Sequence, residues 1–451
     1  MDVNDKRGKS VDRQWRHPLW RKATPAQAIL MIALLMVVLL GFIGLAVDGG
    51  TLYFYQRNAR NAADAAVLAA VYAMCTNYYA ADRDTLVTEA AQAAAQANGF
   101  GLDGDTSTSV TVQIGATIPN EVFPPGFSGD KSDYVRVLIW ADSPTYLIHM
   151  VYGGATEVSA DAVGQCRPET NPFPSQAIVA LGNECSAIDI GGDGVMITVD
   201  GGIFSNSNKC KNGPCANGPC DAVRVRGSSA IDIDDPGIGT SGCIDGASGT
   251  QCTAPLSDPL ADVPPPDEAC TGPKIDHQGA GTINPGYYSE IKLTNGTLTL
   301  TPGVYCIDSG SQNKGFVSTG GTIIANGVVI YIKSGIFSLS GNGNHSFTAP
   351  TYPDCETYDT CDWEGLMIWV DRNNFPYPQG GVEINGGSGS QFVGTIYAPV
   401  NKCTITGNGS TLVLEAQFIC YTVETTGTGD IEVHYDPDDV YRIPPSLRYN
   451  K

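Results

Sequence analysis

The run AILMIALLMVVLLGFIGLAV, from Ala28 to Val47, contains no charged or strongly polar side chain. A helix of twenty residues is about 30 Å long, which matches the hydrocarbon core of a bilayer. Unpaired backbone groups are costly in lipid, so a segment that crosses the bilayer forms a helix. The run exceeds the roughly 7–15 apolar residues of a signal peptide, and no small-x-small cleavage site follows it. We therefore predict a retained transmembrane helix over 28–47, with the lipid bilayer as its partner.

The charges on the two sides of this helix differ. Residues 1–27 carry a net charge of +4, which leaves −25 for the rest of a chain whose formal charge is −21. Flanks rich in Lys and Arg stay in the cytoplasm, so residues 1–27 are predicted to be a cytoplasmic tail. The protein is then single-pass, in the cytoplasmic or inner membrane, with its bulk in the periplasm or at the cell surface. An exterior this acidic repels phosphates, which excludes nucleic acid as a partner.

All fourteen cysteines follow the predicted anchor. An even number of cysteines on the side predicted to be extracytoplasmic indicates disulfides formed in an oxidising compartment. The alternative is a zinc site at Cys210, Cys215 and Cys220, but these have no nearby His and no Cys-x2-Cys pair. The sequence leaves the pairing open, and the simplest candidates are Cys75–Cys166, Cys243–Cys252, Cys355–Cys361 and Cys403–Cys420.

Residues 48–166 have the pattern of a small α+β module. An Ala-rich helical segment continues from the anchor, because it contains strong helix formers and few breakers. A second helix is predicted from about Asp82 to Ala97, before the Asn98–Gly99 pair that commonly ends helices. Period-two alternation of Val, Ile and Thr predicts strands at 109–114, 133–140 and 155–166, whereas 145–153 is too short to assign.

The sequence changes character after a Pro-rich linker, 167–175. From 176 to 436 it is rich in Gly, Asn, Asp, Ser and Thr, with short β-type runs that end in Gly-containing turns. ITVDGGIFS (197–205) is similar to IYIKSGIFS (330–338), which suggests a repeated unit. Stacked repeats hide their sheet edges against one another. We therefore predict a right-handed parallel β-helix, with a β-sandwich or jelly roll as the alternative.

One segment interrupts this pattern and another follows it. The Pro-rich PLSDPLADVPPPDEAC (255–270) is predicted to be a loop or a strap that crosses the repeats. The polar, Pro-containing C-terminal segment, 437–451, is predicted to be a tail that lies on the last coil.

The residues around the anchor resemble those of a known family. An apolar helix that ends in Gly-x-x-Gly-x-Ala-Val-Asp (41–48), followed by Asn-Ala-Ala-Asp-Ala-Ala (61–66), resembles the N-terminal module of TadG-like (TadE/G-like) proteins of Flp/Tad pilus-assembly systems. TEVSADAV (156–163) is also similar to that family, so the resemblance covers about 24–166. DPLADVPPP, LTPGVYC and GTIYAP resemble the Gly-rich β domains joined to such modules. The resemblance implies a membrane protein that helps to assemble or anchor a bacterial pilus, with pilins or other assembly proteins as partners.

Some members of that family carry a von Willebrand type A domain with an Asp-x-Ser-x-Ser metal site. The same string occurs here from Asp105 to Ser109. Such a site needs a buried strand immediately before the Asp, but the preceding residues NGFGLDG form a turn pattern. We therefore expect a polar loop that enters a strand, and no metal.

An enzyme is the other function that a β-helix suggests, because general acid–base hydrolysis needs carboxylates held close together. Asp232, Asp234 and Asp235 alternate along one predicted strand, and oxygen ligands of this kind would suit calcium. Solvated surface carboxylates are the simpler interpretation, so we predict no catalytic, cofactor or metal site and keep these three as the weak calcium candidates. Trp363 and Trp369 are predicted to be a buried layer, with exposed glycan stacking as the alternative. Asp436, Asp438 and Asp439 form a second acidic cluster, which is interpreted in the same way. The histidines are scattered and show no catalytic spacing: His17, His149, His277, His345 and His434.

Three classes of function follow from these observations. The first, which we favour, is a non-enzymatic structural component of pilus assembly, anchored in the membrane and carrying an interaction domain. The second is a cell-surface adhesin or glycan-binding protein that uses the same anchor. The third is a tethered polysaccharide lyase or hydrolase, which requires carboxylates that converge in a cleft.

Overall fold

The computed structural model describes residues 25–450, apart from 103, 126, 128–129, 147–155, 193–195, 213–217, 228–229, 342 and 387–388. The chain forms two compact units. The helix–sheet unit contains Met1–Arg167 and Ser446–Lys451, and the β-helix unit contains Pro168–Pro445. The first 24 residues of the predicted cytoplasmic tail lie outside the described part of the chain.

The predicted anchor is the first part of one long helix. Helix α1, Pro25–Thr76, is 52 residues long and joins the apolar run to the Ala-rich segment without interruption. Among the described residues, it is the one helix that is long and apolar enough to cross a membrane. Helix α2, Arg83–Ala97, follows as predicted. Gly99 has φ +85°, the left-handed conformation that commonly follows a helix end.

The helix–sheet unit packs these helices against an antiparallel sheet. Strands β1 (Thr108–Ile114), β2 (Tyr134–Ser143) and β3 (Thr156–Arg167) pair in that order, with short 3-10 turns at Gly115–Thr117 and Asn120–Val122. A disulfide between Cys75 and Cys166 joins the end of α1 to β3, as predicted.

The C-terminal segment differs from its prediction. Instead of lying on the last coil, Ser446–Asn450 forms the fourth strand of the helix–sheet unit, antiparallel to β3, with Ser446 opposite Arg167. Without it, β3 would be an edge strand with unpaired backbone groups. SLRYN alternates polar and apolar residues, but a run of five residues beside a Pro-rich stretch does not identify its partner strand.

The described residues of the β-helix unit form mostly short strands and two strands of 16–17 residues, together with the short helix α3 (Asp354–Tyr358) and a 3-10 turn at Cys361–Trp363. The C-terminal strand Ser446–Asn450 is β27. The strands between are β4 Gln176–Ala180, β5 Ile188–Gly192, β6 Met196–Asp200, β7 Gly202–Ser205, β8 Val223–Gly227, β9 Ala230–Ile233, β10 Ile238–Thr240, β11 Ile244–Asp245, β12 Ile275–Gln278, β13 Gly281–Ile283, β14 Gly286–Leu293, β15 Thr297–Leu300, β16 Gly303–Asp308, β17 Gly315–Ser318, β18 Thr322–Asn326, β19 Val328–Ser334, β20 Ile336–Leu339, β21 His345–Thr348, β22 Leu366–Val370, β23 Gly381–Gly386, β24 Gln391–Gly407, β25 Leu412–Gly427 and β26 Ile431–His434.

These strands form a parallel β-helix, as predicted. The pairings within β4–β26 are parallel and link each strand to its counterpart in the next coil, which excludes the antiparallel sandwich alternative. The long strands β14, β24 and β25 each take part in more than one column. The first column contains β14, β16, β19, β22, β24, β25, β4, β7 and β10; the second β12, β14, β17, β20, β23, β24, β25, β5, β8 and β11; the third β13, β15, β18, β21, β24, β25, β26, β6 and β9.

Inward-facing side chains of successive coils stack to form the core. Phe316 and Phe337 have ring centroids 5.2 Å apart, and Phe347 and Phe392 are 5.7 Å apart. The two similar sequences noted above each cross a corner between columns. At the second of these, Gly335 has φ +126°, and a side-chain carbon there would lie 2.3 Å from the Lys314 carbonyl. The corner therefore requires glycine.

The order of coils in the stack differs from their order in the sequence. The last coil stacks on the first: Phe418 of β25 pairs with Ile178 of β4, and Ile431 of β26 pairs with Ile197 of β6. The coils of β4–β11 therefore form one end of the stack, and those of β12–β26 form the rest. After β11 the chain must return along the stack to its opposite end, where β12 begins.

The Pro-rich segment 255–270, which we call the strap, makes this return. It lies over aromatic side chains that point outward from the first column. Leu260 of the strap is fully buried, as are Tyr331, Trp369 and Tyr397 beneath it. Of the two alternatives that the sequence offered for this segment, the strap is therefore the correct one.

Polar contacts hold the strap at several coils. The Tyr397 hydroxyl donates to Asp258 at 2.7 Å, and the Trp363 indole donates to Glu268 at 2.8 Å. The Arg372 guanidinium lies 5.2 Å from the Trp369 ring and 5.4 Å from the Tyr397 ring, and it donates to the carbonyl oxygens of Leu260 and Val263. Arg372 therefore joins the aromatic surface to the strap backbone.

The stacking of the coils also determines which cysteines lie close enough to form disulfides. Cys355–Cys361 and Cys403–Cys420 form as predicted. The prediction of Cys243–Cys252 is wrong, because Cys243 pairs with Cys210 of the neighbouring coil, and Cys252 is bonded elsewhere. The zinc alternative is wrong for Cys210 and Cys220, and Cys215 lies outside the described residues. The bonds that sequence separation did not suggest are Cys185–Cys220, Cys210–Cys243 and Cys270–Cys306, each 33–36 residues apart.

Replacing Arg372 by Ala should loosen the strap. Loss of the charged hydrogen bonds and the cation–π contacts is expected to cost about 1–3 kcal/mol of the local opening free energy. Hydrogen exchange of peptides from 255–270 measures this directly. The matched control is Arg224→Ala on the exposed face of β8, which should leave the strap unchanged. Equal protection of the strap in both variants would contradict its anchoring by Arg372.

Candidate assembly surface on the long helix

The first part of α1 has the surface that a lipid environment requires. From Ile29 to Val47, its large apolar side chains are 47–69% exposed. Since the backbone N–H and C=O groups of a helix form hydrogen bonds with one another, such a segment is stable in the hydrocarbon core of a membrane. This apolar helix fits a single-pass membrane protein.

At Asp48 the exposed apolar run of α1 ends and the helix begins to pack against the rest of the helix–sheet unit. Its side chain is only 4% exposed, and one carboxylate oxygen accepts a hydrogen bond of 2.8 Å from the Tyr146 backbone N–H. Gly44, one turn earlier on the same face, is also buried. The segment after β2 therefore covers α1 here, and the Gly-x-Ala-Val-Asp motif joins the apolar run to the folded part of the unit.

The Asn-Ala-Ala-Asp-Ala-Ala motif is a packing motif. Ala62, Ala63 and Ala66 are fully buried on the side of α1 that packs against the rest of the unit, and so are Ala59 and Ala70. Their spacing of three or four residues places them on one helical face, and their small size allows the helix to approach β2 and β3 closely. The Gln56 side chain fixes the same face by donating to the Ser159 carbonyl at 2.8 Å.

The opposite face of α1 exposes large apolar side chains. Tyr53, Phe54, Leu68 and Tyr72 are 71%, 59%, 47% and 65% exposed. The last three lie on one side of the helix, with the exposed polar side chain of Asn61 between Phe54 and Leu68. Exposed apolar side chains grouped on one side of a helix are typical of surfaces that bind another protein.

The weak calcium candidates are exposed. Asp232 lies on the outer side of β9, where Ile231 and Ile233 pack inward, and Asp234 and Asp235 follow the strand. This agrees with the interpretation as solvated carboxylates, while cation binding stays untested. In the other cluster, the Asp438 backbone donates to Asp436, and burial together with the charges of Asp436 and Asp438 raises the pKa of Asp439.

The Asp-x-Ser-x-Ser string lies in a turn, as expected. Asp105 accepts hydrogen bonds from the Ser107 backbone N–H (2.8 Å), the Ser107 hydroxyl (2.6 Å) and the Thr108 hydroxyl (2.9 Å). These bonds lower the pKa of Asp105. Because β1 begins at Thr108, the Asp precedes a strand instead of following one.

The tryptophans are buried, as predicted, but under the strap and not in the stacked interior. Trp363 is 7% exposed and Trp369 is fully buried, and their rings meet edge to face at 6.1 Å. The glycan-stacking alternative is therefore wrong for these two residues.

The described histidines are separate from one another, and His17 and His149 lie outside the described residues. His277 lies 3.1 Å from the Gly279 carbonyl. His434 contacts the Asp200 carboxylate, whose hydrogen bond raises the pKa of the imidazole. His345 is buried inside the β-helix, and burial lowers its pKa to about 4.

Residues 27–82 match the model of the family described as "Putative Flp pilus-assembly TadE/G-like". The N-terminal part of this chain is thus a TadE/G-like domain, which comprises α1 almost entirely and the turn before α2. The comparisons with curated proteins and with solved structures gave no match.

The buried His345 predicts a pH dependence of stability. It is neutral in both states above pH 6.5, and between pH 6.5 and about 4 only the unfolded chain takes up the proton. As the pH is lowered through this window, the free energy of unfolding should therefore fall by up to about 1.4 kcal/mol per pH unit. His345→Leu should remove this part of the slope in denaturant titrations, whereas His277→Asn should keep it. An unchanged slope in His345→Leu would show that the buried ring does not control it.

Proposed function

We propose that this protein is a non-enzymatic, membrane-anchored component of a Flp/Tad-type pilus-assembly system. Its N-terminus lies in the cytoplasm and both folded units lie outside. The observation that carries the proposal is the TadE/G-like match over 27–82, which coincides with α1. The family description itself supports a pilus-related role, and the other elements of the proposal rest on the geometry of α1 and on the sequence.

The geometry of α1 supports assembly with another membrane-anchored subunit. The exposed side chains of Phe54, Leu68 and Tyr72 lie on one side of the same helix that contains the apolar run. A partner on this face would therefore be reached most directly by a helix that emerges from the same bilayer. Pilins and other assembly proteins are the proposed partners.

The orientation is supported by charge and by cysteines. The basic cluster within 1–27 precedes the apolar run 28–47, and the disulfides of both units follow that run. Disulfides persist in oxidising compartments, which agrees with an extracytoplasmic location.

The non-enzymatic character is supported by the surroundings of several carboxylates. Asp189 and Glu424 on neighbouring coils both pair with Arg226, at 2.8 and 3.3 Å, and Glu424 also pairs with Lys402 at 2.9 Å. These are ion pairs along the outer surface of the stack. Carboxylates used in this way hold coils in register and are not available as an acid–base pair.

Deletion of the gene should reduce the amount of major pilin in the sheared surface fraction, and complementation should restore it. Quantitative immunoblotting of sheared and cellular fractions is the measurement. Unchanged surface pilin in the deletion strain would refute the assembly role.

A second variant tests whether the helix–sheet unit is sufficient. Arg167 and Ser446 are directly opposite each other across β3 and β27. A two-residue Asn-Gly turn in place of 168–445 should therefore close a hairpin and keep the four-stranded sheet. We expect this variant to restore surface pilin, and a chain that ends at Arg167, which lacks β27, to restore less. Equal activity of the two would show that β27 is dispensable.

A further inference from the structure

Strand β1 (Thr108–Ile114) is an edge strand of the sheet in the helix–sheet unit. The strand order is β1, β2, β3, β27, so β1 pairs with β2 on one side only. Its sequence, TSVTVQI, contains no charged residue and no proline, and its register with β2 is regular. Natural edge strands commonly carry a Lys, a Pro or a bulge that prevents pairing with another strand. An edge without these features is suited to a partner strand.

The hydrogen bonds of β1 show which of its backbone groups face away from β2. The Asp142 N–H of β2 donates to the Ser107 carbonyl at 2.8 Å. Alternate residues of an antiparallel strand turn their N–H and C=O groups to the same side, so the odd-numbered residues of β1 face β2. Val110 and Val112 face the other side, where their four N–H and C=O groups have no hydrogen-bond partner among the described residues.

The chain itself limits this open edge at both ends. At one end the Ile114 N–H donates to the Thr117 hydroxyl at 2.8 Å, and that hydroxyl donates to the Ile114 carbonyl at 2.9 Å. At the other end the Gly101 N–H donates to the Thr108 hydroxyl at 2.9 Å, so the turn before β1 lies beside its first residue. A partner strand would therefore pair with the middle of β1.

The open groups of β1 are complementary to those of a second copy of the same strand. When two copies run antiparallel with Thr111 opposite Thr111, Val110 of each copy lies opposite Val112 of the other. Both are then hydrogen-bonded pairs, so all four open groups on each copy find a partner. Thr111 forms a close cross-strand pair with its counterpart, and Thr–Thr pairs of this kind stabilise sheets.

The absence of charge on β1 favours a twofold pair over a strand from another protein. Around a twofold axis each residue near the axis lies close to its own counterpart, so a charged residue on β1 would meet a like charge. From Thr108 to Ile114 there is none, in a chain whose formal net charge is −21. An extended segment of a different protein would not require this.

The twofold symmetry is compatible with two anchors in one bilayer. Helix α1 follows β3, because Gln56 donates to the Ser159 carbonyl and Cys75 is bonded to Cys166 further along the strand. Neighbouring strands are rotated by about 20–25°, so α1 is inclined to β1 by roughly 40–50°. A twofold axis perpendicular to the sheet at β1 gives both α1 helices the same direction along that axis, as a shared bilayer requires.

We propose that β1 joins two copies of this protein by antiparallel pairing centred on Thr111. The pair has one continuous sheet of eight strands. The proposal does not depend on the role in pilus assembly. A single pair of strands contributes few contacts, and confinement of both anchors to one membrane raises the effective concentration at which they meet.

A cysteine at the centre of this pairing tests it in membranes of cells that express the full chain. No described cysteine is free, so Thr111→Cys adds a separate thiol at an exposed position. The Cα atoms of a non-hydrogen-bonded pair are about 4.5 Å apart, within the range of a disulfide. Mild oxidation should therefore give a covalent dimer of twice the chain mass on a non-reducing gel. Ser109→Cys is the matched control, because its two copies would be roughly 14 Å apart and should not be linked.

A second variant tests the backbone hydrogen bonds. Val110→Pro removes an N–H that points away from β2, so the pairing between β1 and β2 should be retained. Combined with Thr111→Cys, it should lower the amount of covalent dimer by at least about fivefold, the factor that one backbone hydrogen bond contributes to an equilibrium. Val110→Thr keeps the N–H and should preserve the dimer.

The proposal is overturned if Thr111→Cys gives no covalent dimer, gives no more than Ser109→Cys, or is linked to a different protein. Undiminished dimer in a folded Val110→Pro variant would also contradict it. Should Val110→Pro lose its folded circular-dichroism spectrum, the comparison of the two cysteine variants decides alone.

Discussion

The fold depends on the backbone pairing between the first and the last coils. Strands β4–β6 receive their hydrogen-bond partners from β25 and β26, more than 200 residues later in the sequence. Because these coils adjoin, the coils before and after the strap form one stack. The strap must then cross the stack to reach β12, and its passage covers outward-pointing aromatic residues that would otherwise be exposed. Arg372 and Asp258 secure this crossing because they join strap and stack directly.

The chain enters and leaves the β-helix unit through two segments that pair with each other. The segments that enter and leave the β-helix unit meet at Thr170 and Ile443, which bridge in antiparallel fashion. Beyond them, β3 and β27 pair in the sheet of the helix–sheet unit. The β-helix unit is therefore an insertion between two neighbouring strands of the helix–sheet unit.

Local patterns predicted the local structure. The apolar run and the Ala-rich segments identified α1 and α2, and the short β-type runs that end in Gly-containing turns identified the β-helix class. The order of coils was not predictable from the sequence. Ile178 and Phe418 lie in short β-type runs that resemble those of the other coils, so the local sequence does not show that these two residues pair. Cys243 was assigned to Cys252 for the same reason. The exposed side chains of Phe54, Leu68 and Tyr72 were also missed, because the Ala-rich sequence around them does not show which side of α1 the sheet covers.

The most direct test of this account is hydrogen exchange of the full chain with Val433→Pro in β26. Proline removes a backbone donor from a central strand. The account predicts faster exchange at Met196–Asp200 of β6, which pairs with β26, whereas Val317→Pro in the distant β17 should leave those amides protected. Unchanged protection of Met196–Asp200 in Val433→Pro would contradict the stacking of the last coil on the first.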